Sequence, residues 1–257
     1  MITDVKAELE RIKKFIKKLV EESGTKGIVI ALSGGIDSAL VAGLSVVSLS
    51  KKSVQGLILP CHSNPNDQED AILIADHLGI EYKIVELTES YDLFLKTLEL
   101  SLEADSIQLA KANVKPRMRM IATYYFANQL NYLVAGTGNK SEDDIGYFTK
   151  YGDGGVDFLP IQHLYKHEVR QLSRYLKLPE KIITRTPTAG LWEGQTDEDE
   201  LSKQLGFKIV YDELDEMLDK IEKNEYDKND VRYQKLVELK RKSLHKVKLP
   251  PSLPRNF

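Results

Sequence analysis

The chain has 257 residues, 42% of them hydrophobic and 29% charged, which supplies apolar material for one large α/β domain. A formal net charge of −3 from 36 basic and 39 acidic side chains gives no global attraction for a polyanion, so nucleic-acid binding is disfavoured. One cysteine, Cys61, excludes an internal disulfide and any all-cysteine metal site; with no signal-like N-terminus and no run of membrane-spanning length, the chain reads as soluble and cytoplasmic.

Val5, Leu9, Ile12, Ile16 and Leu19 recur at three- and four-residue steps, predicting an amphipathic first helix that Gly24 terminates. Strands and helices then alternate. GIVIAL (27–32), VQGLILP (54–60), YKIVEL (82–87) and NYLVAG (131–136) read as short strands buried on both faces. Helical patterns cover 36–49, 67–78 and 88–130, the last interrupted near NVKPR, where Pro116 is expected to start a new helix. Further helices are expected at 166–176, 208–223 and 229–243. The stretch 184–206 reads as a mobile lid, and 244–257, rich in proline, as an extended tail. This order predicts an α/β fold, a parallel twisted sheet with helices on both faces, whose ligands gather at the carboxyl ends of the strands.

The loop after the first strand, SGGIDS, sits where a helix begins. Unpaired helix amides and the helix dipole make that junction an anion site, and Gly34 and Gly35 permit close approach while Ser33 and Ser38 add hydroxyl donors. The lysine of a G-x-x-x-x-G-K-[ST] loop is missing. Asp37 stands there instead, and an acid beside phosphates needs a divalent cation between, so Asp37 reads as a Mg²⁺ ligand, with a plain helix N-terminal acid as the quieter alternative.

SGGIDS after a strand resembles the pyrophosphate loop of the N-type ATP pyrophosphatases. GTGNKSE (136–142), GYFTKYGDGGVDFLPI (146–161), PTAGLWEGQTDEDEL (187–201), NVKPRMRM (113–120) and LHKVKLP (244–250) narrow the resemblance to the NAD synthetases, over nearly the whole chain. The length leaves no room for an amidase domain, so the ammonia-dependent form is expected, with a Rossmann-like adenine nucleotide alpha hydrolase-type fold. The implied reaction is amidation of nicotinic acid adenine dinucleotide (deamido-NAD) through an adenylated nicotinate, using ATP as cosubstrate and Mg²⁺ as cofactor, in a homodimer with no nucleic-acid or membrane partner.

By that resemblance, the ATP site comprises Ala31, Leu32, Ser33, Gly34, Gly35, Ile36, Asp37, Ser38, Thr137, Lys166 and Thr188. Arg117, Lys150, Asp157, His245 and Lys246 match positions that contact deamido-NAD. Asp37 and Glu142 match the metal ligands, and Asp37, Lys166 and Asp157 are the candidate catalytic residues, Asp157 toward the incoming ammonia. The chemistry agrees: making a carboxylate oxygen a leaving group calls for acids to hold a metal and bases to hold phosphate. Taken singly, each residue has a plainer reading. Glu142 is one of several acids in SEDD, Lys166 a surface cation, and His245 and Lys246 helix-end cations. His163 and His167, four apart, lack the partners of a zinc site; Cys61 reads as a small loop residue near adenine, and Trp192 either packs a closed lid or anchors the loop. A tRNA-modifying pyrophosphatase would share the loop but calls for a basic surface or further cysteines. A GMP synthetase is opposed by GYFTKYGDGG, and a nucleotide sensor needs neither the second acid nor the loop lysines.

Overall fold

The computed structural model describes residues 2–98, 104–188, 194 and 196–253. The first helix, α1 (Val5–Ser23), is capped by the Asp4 side chain, which accepts the Ala7 amide, and stopped by Gly24 at φ +66°. Then come β1 (Ile28–Ala31), α2 (Ile36–Ser48), β2 (Val54–Ile58), α3 (Pro65–Leu78), β3 (Glu81–Ile84), α4 (Thr88–Leu98), α5 (Ala104–Leu130) and β4 (Leu133–Val134). The C-terminal half carries α6 (Lys140–Ile145), α7 (Lys166–Tyr175), α8 (Glu180–Ile183), α9 (Asp197–Leu205), α10 (Tyr211–Glu222) and α11 (Val231–Val247).

The strands form a parallel sheet in the order β3-β2-β1-β4. Successive side chains of β1 point to opposite faces. Ile28 and Ile30 join a core with Ile12, Ile16, Leu40, Leu44, Ile74 and Leu172, while Val29 joins Leu57, Tyr91 and Ala127 on the other side. Each fully buried aliphatic of this kind contributes about 1.5–3 kcal/mol relative to exposure. A third cluster, built on Leu201, Leu205, Leu214, Leu218 and Leu236, joins α9, α10 and α11.

Four sequence expectations change. β3 is not buried on both faces: it is the sheet edge, and Glu81, Lys83 and Ile84 are exposed. Pro116 lies inside α5 rather than at its start. Proline removes one amide from the ladder, at a cost of about 3 kcal/mol, and burial of Ala112, Lys115 and Pro116 on one face opposes that cost. The tail begins later than expected, because 244–247 complete α11; Lys248 is extended, and Leu249, next to Pro250, is disfavoured from continuing the helix. The second half of the 184–206 stretch is α9, whose N-cap Thr196 accepts the Asp199 amide and whose Leu201 and Leu205 are buried. The rest of that stretch, with Trp192, lies largely outside the described residues, as do 99–103 and 254–257.

Candidate active site

The carboxyl ends of β1, β2 and β4 open onto a cavity of about 810 Å³. At the end of β1 the chain turns through Gly34, at φ +80°, into α2. A Cβ there would meet Asp67 O at 2.4 Å, so the loop closes on α3 only with glycine. Ser33 and Ser38 knit the turn: Ser38 Oγ accepts the Ser33 amide at 3.3 Å and donates to Gly35 O at 2.9 Å, and Gly35 N donates to Ser33 Oγ at 3.2 Å. Arg185 braces it from outside, donating to Gly34 O at 3.3 Å and pairing with Asp67 and Asp70. α2 has no side-chain N-cap, which leaves its first amides to a ligand.

Lys166 is the first residue of α7, and its side chain is buried, 2% exposed. Its ammonium donates to Asp37 Oδ2 at 2.7 Å and to Glu142 Oε1 at 2.9 Å, and lies 4.9 Å from the centre of the Tyr211 ring. Burial alone would depress this ammonium; the carboxylates of Asp37 and Glu142 outweigh it and hold Lys166 above its ordinary value. Burial pushes the Glu142 carboxyl well above the ordinary carboxylate range. Lys166 pulls it down, and Asp37 and Asp197 push it further up. Burial also raises Asp197, which accepts the Tyr147 and Tyr211 hydroxyls at 3.1 and 3.2 Å.

Three acids crowd one ammonium, and the upward push on Glu142 and Asp197 is what acids too few in cation partners show; a divalent cation beside them would favour their ionised forms. Among the described residues no three acidic, histidine or cysteine side chains converge as a complete metal cage. A pair of carboxylates facing an open cavity is instead a donor set Mg²⁺ accepts, since that ion keeps waters and other oxygen ligands for its remaining positions. Asp37 and Glu142 therefore fit the ion.

Of the residues expected at ATP, Ala31, Ser33, Gly35, Ile36, Asp37, Thr137, Lys166 and Thr188 line the cavity, whereas Leu32, Gly34 and Ser38 shape the turn from behind. Of those expected at the dinucleotide, His245 and Lys246 line it. Arg117 and Lys150 sit outside its wall as an exposed relay: Arg117 Nη2 donates to Lys150 O at 3.4 Å, and Lys150 Nζ to His245 O at 2.6 Å. Asp157 is also outside the wall, accepting the Val134 amide at 2.8 Å and the Tyr124 hydroxyl at 3.0 Å. His163 and His167 go to separate acids, Glu8 and Asp215.

Sequence reasoning missed Asn139. It is fully buried, donates from Nδ2 to Asp37 Oδ1 at 2.9 Å, and accepts the Glu142 amide on Oδ1 at 3.0 Å. One side chain thus caps α6 and orients both acids. The signal was an N-cap residue three before a glutamate, N-x-x-E. Arg119 was missed too: it donates to Leu59 O and Ser63 Oγ at 3.0 and 3.1 Å at the end of β2 and lines the cavity.

Comparison with known proteins gives the family. Residues 8–250 match the NAD synthase family. The chain belongs to that family. An NH(3)-dependent NAD(+) synthetase of Archaeoglobus fulgidus is 48% identical over 245 residues, 95% of this chain and 94% of the relative. One from Carboxydothermus hydrogenoformans is 50% identical over 209 residues, 81% and 83% of the two chains. Among solved structures, the NH3-dependent NAD synthetase of Campylobacter jejuni superposes with a TM-score of 0.81 at 33% identity, over 98% of this chain and all of that one. An NMN synthetase from Francisella tularensis superposes with a TM-score of 0.85 at 34% identity over the full length of both. The parallel sheet seen here is the nucleotide-binding fold of the NAD synthetases.

Proposed function

We infer that this member of the NAD synthase family is an ATP-dependent ligase that amidates deamido-NAD with ammonia to give NAD, AMP and pyrophosphate. The observation that carries the reading is the meeting of Asp37, Glu142 and Lys166 at the mouth of the glycine loop. A nicotinate carboxylate oxygen attacks the α-phosphorus of ATP, the bond from that phosphorus to the bridging oxygen breaks, and pyrophosphate leaves. Ammonia then attacks the activated carbonyl carbon; the carbon–oxygen bond to AMP breaks, and nitrogen gives up a proton. Free amides at the start of α2 hold the departing phosphates, and Lys166 offsets the charge that grows on them. Asp37 and Glu142 would hold Mg²⁺, which supplies charge neutralisation to the phosphates.

The remaining assignments support a longer substrate. His245 and Lys246 lie in the same cavity as the loop, and the Arg117–Lys150 relay lies beside them, which favours a pyrophosphate-linked dinucleotide reaching from the cavity to the surface. Asp157, anchored on β4, belongs to this proposed site, and Asp157→Asn should abolish amide formation if it handles ammonia. The homodimer is part of the reading, because Leu93, Phe94, Ile121 and Tyr125 on α4 and α5 are exposed and a second copy would cover them. A cytoplasmic setting suits the single buried, unpaired Cys61.

The test is incubation with ATP, Mg²⁺, ammonia and deamido-NAD, with NAD and AMP expected in equal amounts. ATP binding without joint appearance of the two would overturn the synthetase reading. The likeness to an NMN synthetase gives a second acceptor, nicotinic acid mononucleotide. Competition between the two acceptors in one assay decides which is preferred.

A further inference from the structure

α10 backs the site with two side chains one helical turn apart. Tyr211 lays its ring near the Lys166 ammonium, and Asp215, four residues on, turns a fully buried carboxylate toward the start of α7. That carboxylate accepts three hydrogen bonds. Ser141, on α6, donates its hydroxyl to Oδ1 at 2.5 Å; His167 donates its backbone amide at 3.1 Å and its Nδ1–H at 2.9 Å to Oδ2. Ser141 Oγ in turn accepts the Lys166 amide at 2.9 Å. The first two amides of α7, which have no partner within the helix, are thus capped from outside, and both caps hang on one carboxylate.

The anchors are next neighbours of working residues. Glu142 follows Ser141 on α6, and Lys166 precedes His167 on α7. We propose that Asp215 is a positioning residue: it locks α6 and α7 in one mutual register and so fixes the contact between Glu142 Oε1 and Lys166 Nζ. The proposal rests on the role given above to Lys166 and Glu142. A carboxylate suits the task because its two oxygens accept from several directions, and bonds to a charged acceptor are short and strong. Asparagine would offer one acceptor oxygen to donors arriving at two, leaving a buried donor without a partner.

The experiment compares Asp215→Asn, Ser141→Ala and the double variant with wild type. Each single change should lower kcat at least tenfold while KM for deamido-NAD moves less than threefold, and the double variant should lose no more than the worse single, because both act through one link. Values of kcat within twofold of wild type in both singles, whatever the fall in Tm, would make Asp215 a mere brace and overturn the proposal; so would losses that multiply. Should Asp215→Asn not fold, Ser141→Ala decides alone. Amide hydrogen exchange gives a reading independent of activity: the amides of Lys166 and His167 should exchange at least tenfold faster in the variants. Unchanged exchange sinks the proposal, whereas wild type that makes no NAD while the exchange rises sinks only the functional reading.

Discussion

Lys166 Nζ stands 2.7 Å from Asp37 Oδ2, although 129 residues separate them in the chain. The pair joins α2 to α7 across the mouth of β1, and Glu142 closes the triangle from α6. Lys166→Met keeps most of the buried stem but leaves two carboxylates facing each other. Pyrophosphate release should fall by about two to three orders of magnitude, the scale seen when one electrostatic contact to a transition state is removed. Rapid-quench measurement of the adenylation step checks this; a normal burst of pyrophosphate would show that Lys166 is structural only.

Asn139 separates capping from orientation. Asn139→Ala removes the α6 cap and the bond to Asp37, and should cost about 1–3 kcal/mol of stability through the lost cap and the unpaired groups left behind. Asn139→Asp retains a good capping group but sets a second carboxylate against Asp37. Its helix should survive while kcat falls at least as far as in the alanine variant. Circular dichroism melts beside steady-state rates distinguish the two effects.

The turn at Gly34 is intolerant of a side chain for two reasons, a left-handed φ of +80° and the 2.4 Å approach to Asp67 O. Gly34→Ala should destabilise the fold by about 1–3 kcal/mol and raise KM for ATP more than KM for deamido-NAD. Equal KM values in variant and wild type would mean that the loop does not hold the phosphates.

Lys246 carries a pH dependence. Burial pulls its ammonium below the ordinary lysine value, with Asp153 opposing, while Nζ donates to Gly146 O at 2.7 Å and Phe148 O at 2.9 Å. For a base whose folded pKa is lowered, the folded state holds the proton less tightly than the unfolded chain. Stability therefore rises as pH climbs through the lowered value toward 10.5. Anion binding runs the opposite way, since the ammonium is lost over the same window. Affinity for deamido-NAD, measured by calorimetry, should weaken as pH rises toward 10.5 in wild type and stay flat in Lys246→Arg, whose guanidinium remains charged.

The sequence by itself determined a good part of this. Alternating apolar runs announced the parallel sheet, Gly24 ended the first helix, and the glycine pair at 34 and 35 marked the turn from β1 into α2, because these are local patterns of period and dihedral. Only the tertiary structure decided what depends on elements meeting. β3 became an edge because among the described residues no strand pairs with its outer side, Pro116 stayed helical because its neighbours are buried, and the bonds of Asn139 and Asp215 could not be read from a chain in which their partners lie as far as 102 residues away. Residue types follow local rules, but a hydrogen bond between distant segments exists only once burial of the core has fixed where each helix begins.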